Sequence, residues 1–222
     1  MKQIIKFFYL NNKIKNLSLL IFFIPSITII ISYLLSLKLN LVPNCIPPLE
    51  GCTSISRTGR YFPVNIFFKS FLFITGILIF FYWYKNYIFF KKLPNHKLII
   101  IAYICGIISV LFLYLYLIFL GESSYYQFFR KIGIFIYLLF SIISEFILSI
   151  IYYKNFNKIE FRIQFVKSKL FLSIFLTCLG IFLFPFMIMK IDNVAELRNI
   201  ISWNYFFLIQ INFLITFFIW KK

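Results

Sequence analysis

Six runs of about twenty apolar residues divide this 222-residue chain, at 17–37, 64–84, 98–120, 132–153, 170–189 and 202–220. A helix rises about 1.5 Å per residue, so each run is long enough to cross a hydrocarbon core about 30 Å thick. In lipid the backbone N–H and C=O groups have no water to bond to and must be satisfied within the segment. The runs lack the alternating polar residues of a membrane barrel strand, so the reading is all-α: a polytopic bundle of six transmembrane helices. Composition agrees. Hydrophobic residues make up 62 % of the chain and charged ones 13 %, whereas a soluble domain is nearer half and a quarter. A soluble enzyme, a disordered chain and a disulfide-stapled mini-protein are excluded. No linker or internal repeat separates domains, so residues 1–222 read as one transmembrane domain, with the first span a retained signal anchor.

The net charge of +17 does not point to nucleic acid, because the 23 Lys and Arg fall in short clusters between the apolar runs. Fifteen lie in the N-terminal segment, the second and fourth loops and the C-terminus; seven lie in the first, third and fifth loops; Lys69 lies within a span. Cytoplasmic loops carry the excess of Lys and Arg, which predicts that both termini are cytoplasmic and that the odd-numbered loops are extracytoplasmic. Pro25 falls inside the first span, where a missing N–H is expected to kink the helix.

Composition changes most sharply in the first outer loop, LKLNLVPNCIPPLEGCTSISRTGRYFP, which its Pro and Gly content predicts to be shaped and non-helical. Cys45 and Cys52 lie seven apart on the oxidising side of this topology and are expected to form a disulfide. Cys105 and Cys178 lie in spans and read as small core hydrophobes. Ser54, Ser56, Arg57 and Arg60 follow the second cysteine. Guanidinium groups present planar forks matched to phosphate or carboxylate, so these residues form a candidate anion site, with lipid head groups the nearest anions. The competing expectation is that the arginines pair with Glu50, Glu122 or Glu196. The third and fifth loops repeat the chemistry with Glu122, Arg130, Glu196, Arg198, Trp203 and Asn204, and the three loops together are expected to form one polar crown. Trp203, Tyr125 and Tyr126 sit where aromatic side chains anchor at the membrane interface.

Within the spans, Glu145 is the sole carboxylate, with Ser141, Ser144, Gln210 and Asn212 as expected neighbours. A charge at that depth is expensive, so Glu145 is protonated or faces a partner. Lys69 is close enough to the outer boundary to snorkel into the crown. Catalysis has little to use. His96 is the only histidine, no multi-histidine metal site can form, and no cofactor motif is present. Ser54 or Ser56 could act as nucleophiles only with a base from Glu50, Glu122 or Glu196.

The stretch VPNCIPPLEGCTSISRTGRYFPVNIFFKSFLFITGILIFFYW resembles the membrane family that includes post-GPI-attachment factor two and the damage-regulated autophagy modulators. Ser54, Ile55 and Ser56 match that family's Ser-Ile-Ser element, and Phe67, Phe68 and Lys69 the aromatic and basic opening of its second span. GESSYYQFFRKIGIFIYLLFSIISEFILS resembles the family's third outer loop and fourth span, and WNYFFLIQINFLITFFIW its last span. The chain departs from the GPI-remodelling branch, which marks the last span with an acid and a histidine where this chain has Trp203 and Asn204. The bacterial-type branch is the nearer one. The resemblance implies a lipid-linked role in a bacterial inner membrane or, alternatively, a eukaryotic secretory-pathway membrane.

Three functions follow as expectations. The first is non-catalytic binding of a lipid head group, or of another membrane protein, by the crown. The second is lipid-remodelling enzymology, acyl transfer or hydrolysis, through the serine-rich loop. A small-solute transporter is disfavoured because only Glu145 and Lys69 are charged within the spans and no matching pair of broken helices is visible.

Overall fold

The computed structural model describes residues 2–91, 96–121, 126–156, 161–188 and 195–220. Six long helices carry the apolar runs: α1 (Lys2–Lys38), α4 (Val64–Phe90), α5 (His96–Phe119), α6 (Gln127–Asn155), α7 (Ile163–Ile188) and α8 (Ala195–Ile219). All six contain a segment long and apolar enough to cross a membrane. The first outer loop differs from expectation, since it winds into two single turns, α2 (Pro47–Glu50) and α3 (Ile55–Thr58). Proline at the start of α2 is pre-set for a helical turn, and Gly51 with φ +69° ends it. Each long helix runs past its expected span at one end or both, while α5, α7 and α8 stop one residue short at the other, because polar residues continue a helix past the hydrocarbon once its backbone ladder is running. Pro25 lies inside α1, which continues as one helix through it.

Each long helix packs against the next in a closed ring, α1 to α4, α5, α6, α7, α8 and back to α1. Several hydroxyls inside the apolar segments bond within their own helices. Thr28 Oγ1 donates to the Ile24 carbonyl (2.6 Å), Thr75 Oγ1 to Phe71 (2.9 Å) and Thr177 Oγ1 to Ser173 (2.7 Å). The outward faces carry exposed side chains such as Phe73, Leu111, Ile118 and Phe171, as a lipid solvent requires.

The two ends of the ring are built differently. At the end holding both termini, Phe89, Phe90, Tyr152, Phe161 and Trp220 interlock edge to face, with Phe90–Tyr152 at 5.2 Å and 89° and Phe161–Trp220 at 5.0 Å and 80°. Such T-shaped pairs align the positive ring edge with the negative face. Lys15 of α1 lies over the Phe217 ring of α8 at 4.7 Å, so the chain's first and last spans meet there. The other end is covered by the loop that carries α2 and α3.

Candidate functional site

Two places in the bundle bring ionic and hydrogen-bonding side chains together. One is deep in the interior between α6, α7 and α8. The other is the crown.

The interior constellation is centred on Lys169, which was counted above with the cytoplasmic cluster of the fourth loop. That reading is corrected: Lys169 lies within α7 and is 0 % exposed. Its Nζ donates to Glu145 Oε2 (2.5 Å), to the Asn212 carbonyl (3.0 Å) and to Asn212 Oδ1 (2.6 Å). An ammonium has three protons, and here each has an acceptor from the chain itself. Asn212 Nδ2 then donates to Ser173 Oγ (2.8 Å), Ser173 Oγ lies 2.8 Å from Ser149 Oγ, and Ser149 Oγ donates to the Glu145 carbonyl (2.7 Å). The chain of bonds returns to the residue where it began. It ties α6, α7 and α8 through side chains that would be costly to leave unpaired in lipid. Glu145 Oε1 and Ser141 Oγ are buried outside this circuit, beside a small cavity that Ser173 and Asn212 also line. Gln210 is buried without joining the circuit, and Ser144 bonds the Ser141 carbonyl (2.8 Å). With Lys169 inside, the loop tally of basic residues becomes fourteen against seven, which leaves the bias in place.

The crown is held from below by α1 and from the side by α8. Cys45 and Cys52 are disulfide-bonded, with Cα atoms 6.5 Å apart. The Tyr33 hydroxyl of α1 donates to the Cys45 carbonyl (2.5 Å), and Ser36 Oγ donates to the Thr58 carbonyl (2.6 Å). From α8, Asn199 Nδ2 donates to the Gly51 carbonyl (2.7 Å), Trp203 Nε1 to Thr53 (2.9 Å) and Asn204 Nδ2 to Pro48 (2.9 Å). Residues 199 and 203 are one turn apart, so a single face of α8 reads the loop backbone. Gly51 permits this contact, because a Cβ there would lie 2.1 Å from the Glu196 carbonyl oxygen. Trp203 is thus buried at the loop contact, which differs from the interfacial anchoring expected for it; its indole N–H has a carbonyl to bond inside the fold. Tyr126 is exposed, and Tyr125 and Glu122 lie outside the described residues.

Ser54 and Ser56 share a hydroxyl contact at 3.4 Å, and neither hydrogen-bonds a carboxylate among the described residues. Arg57 and Glu196 are exposed, while Arg198 and Lys69 are half-buried. Glu50 Oε1 accepts from the Ile46 backbone N–H (3.2 Å), within its own turn. Among the described residues no ion pair joins Arg57, Arg60, Arg130 or Arg198 to Glu50 or Glu196. Arg60 and Arg130, by contrast, come together. Arg130 is in the first turn of α6 and 8 % exposed, and Gly133, one turn on, packs against the Tyr116 backbone of α5. A Cβ on Gly121 would lie 3.0 Å from the Arg60 carbonyl oxygen, so α5 ends against the Arg60 backbone. Among the described residues no group of three or more His, Cys, Asp and Glu side chains could hold a metal ion.

Sequence reasoning missed Lys169, Ser149, Ser173, Tyr33 and Asn199. The available signal for Lys169 was depth. A lone Glu inside a span needs a cation at its own level, and Lys169 lies six residues into α7, within reach on a four-carbon stem. No family model, curated protein or solved structure matches this chain.

Proposed function

We propose that this integral membrane protein is a non-catalytic binder that holds the head group of a membrane lipid in its crown, on the extracytoplasmic side of a bacterial inner membrane. The observation that carries the reading is that Arg60, in a loop fixed by a disulfide and by Asn199, Trp203 and Asn204, stands with Arg130 of α6 at the crown end of α5. A site held rigid before its ligand arrives loses less conformational entropy on binding. The basic residues of the opposite loops support the orientation. The resemblance to the family of post-GPI-attachment factor two and the damage-regulated autophagy modulators supports a role in lipid organisation. Ser54 and Ser56 bonding each other, with no base beside them among the described residues, favours binding over acyl transfer or hydrolysis.

The test is the lipid that accompanies the protein through mild detergent extraction, measured by native mass spectrometry. One or two lipid classes should be enriched over the bulk membrane. Ser54→Ala with Ser56→Ala should leave that enrichment unchanged. Accompanying lipids that match the bulk composition would contradict the reading, and loss of a measured lipid turnover in the double Ala variant would favour the enzyme.

A further inference from the structure

Arg130 and Arg60 are the crown's least ordinary cations. Arg130 is more than nine-tenths buried, yet among the described residues its guanidinium has no hydrogen bond and no carboxylate partner. Arg60 Nε is likewise buried without an acceptor. The Arg60 carbonyl stands against Gly121 at the end of α5, and Arg130 lies one turn before Gly133, which packs on the Tyr116 backbone of α5, so both cations stand at the crown end of α5 near the buried Tyr116. Tyrosine is neutral and cannot offset two positive charges. Gly133 sets this arrangement, since a Cβ there would lie 2.8 Å from the Tyr116 backbone nitrogen; its absence lets α6 close on α5 and carries Arg130, three residues earlier, beside Tyr116. Arg60 is half-buried overall, so the two like charges share a partly desolvated site that an anion can reach, and an anion between them would offset their repulsion.

We propose that Arg60 and Arg130 form a two-guanidinium site for one phosphate group, an inference that rests on the lipid-binding reading above and names the chemistry of its ligand. Each guanidinium is a planar fork that takes two oxygens. A carboxylate holds its two oxygens in one plane, whereas a phosphate group is tetrahedral and directs its oxygens out of a single plane, which suits two forks that are not coplanar. The site lies at the crown end of α6 and four residues before α4, at the ends of two segments apolar and long enough to cross a membrane. Phe62 and Phe128, both exposed, flank it in sequence and give an acyl chain apolar surface to run along. The same phosphate chemistry could come from a phospholipid or from free phosphate.

The experiment uses the full chain, delipidated in a non-ionic detergent, with three separate additions followed by native mass spectrometry: dioleoyl phosphatidylglycerol, dioleoylglycerol and inorganic phosphate. Wild type should retain phosphatidylglycerol in preference to dioleoylglycerol. Arg60→Gln and Arg130→Gln should each weaken retention by about tenfold, the size expected for losing a charged hydrogen bond. Arg60→Lys with Arg130→Lys keeps the charge but loses the forks and should fall between. The Lys pair also guards against misfolding, with an intact Cys45–Cys52 bridge as the check. Phosphatidylglycerol retention that survives both Gln substitutions would overturn this site while leaving the lipid reading standing. Retention that appears only in Glu122→Gln would also overturn it, because Glu122 would then be the internal counter-ion. Inorganic phosphate bound as tightly as the lipid, and lost in the Gln variants, would uphold the site and overturn the lipid reading. Failure of wild type to bind either phosphate source would overturn both.

Discussion

Lys169 and the Arg60–Arg130 pair are both cations shielded from water, Lys169 fully and the pair in part, and the fold treats them in opposite ways. Around Lys169 the chain supplies every acceptor: a carboxylate, an amide oxygen and a backbone carbonyl, with Ser173 and Ser149 closing the circuit. Around Arg60 and Arg130 the described chain supplies neutral tyrosines and a second positive charge. The interior group completes the bundle and leaves little capacity for an external charge. The crown group has no such complement among the described residues, which is the ground for proposing an external anion there. Burial alone therefore does not separate a structural charge from a binding one; the partner inventory does.

The largest expected effect breaks the interior half of the comparison. Lys169→Met leaves Glu145 buried beside Asn212 without its cation, and removing one member of a buried pair costs about 3–5 kcal/mol. The thermal midpoint in detergent should fall steeply. Lys169→Met combined with Glu145→Leu should recover most of the loss, since replacing the whole pair by apolar side chains is close to neutral. A double variant as unstable as the single one would show that the pair does more than satisfy itself.

Next in size is the crown's covalent tie. Cys45→Ser should lower stability by about 2–3 kcal/mol, as expected for a ring this short, and reductant should reproduce the effect in wild type but not in the variant. Trp203→Phe removes the indole donor to the Thr53 carbonyl and should cost about 1–2 kcal/mol, read as a lower midpoint together with faster proteolysis within the loop that carries α2 and α3. Arg57→Ala should have the smallest effect, about 0–0.5 kcal/mol, because its side chain is exposed and unpaired among the described residues. A large loss at Arg57 would move the anion site away from Arg130 and toward α3.

Much of this architecture could be read before any coordinates. The spans at 64–84 and 98–120 are apolar enough to mark two helices, and α4 runs past the first, and α5 starts before the second, through polar and aromatic residues at which a hydropathy argument stops. Cys45 and Cys52 were legible as a pair from spacing and side of the membrane. Lys169 was not, because it follows Lys167 and a lysine at the edge of an apolar run looks like a loop residue until a partner at its depth is considered. Trp203 reads as an interfacial anchor for a related reason: an indole near a helix end suits either the membrane interface or a buried carbonyl, and only the fold of the loop chooses. The grouping of Arg60 with Arg130 across 70 residues depends on Gly133 and on the exit of α5 past Arg60, contacts that no local pattern encodes.

The contrast between a self-satisfied interior cation and a crown left open for an anion is tested most directly by the thermal midpoint of Arg130→Gln, measured on delipidated protein with and without dioleoyl phosphatidylglycerol. Without lipid, the variant should match or exceed wild type, because one of two repelling charges has gone; with lipid, wild type should gain stability and the variant should not. A variant that is already destabilised without lipid, by as much as Lys169→Met, would mean that Arg130 has its counter-ion within the chain and that the crown is closed.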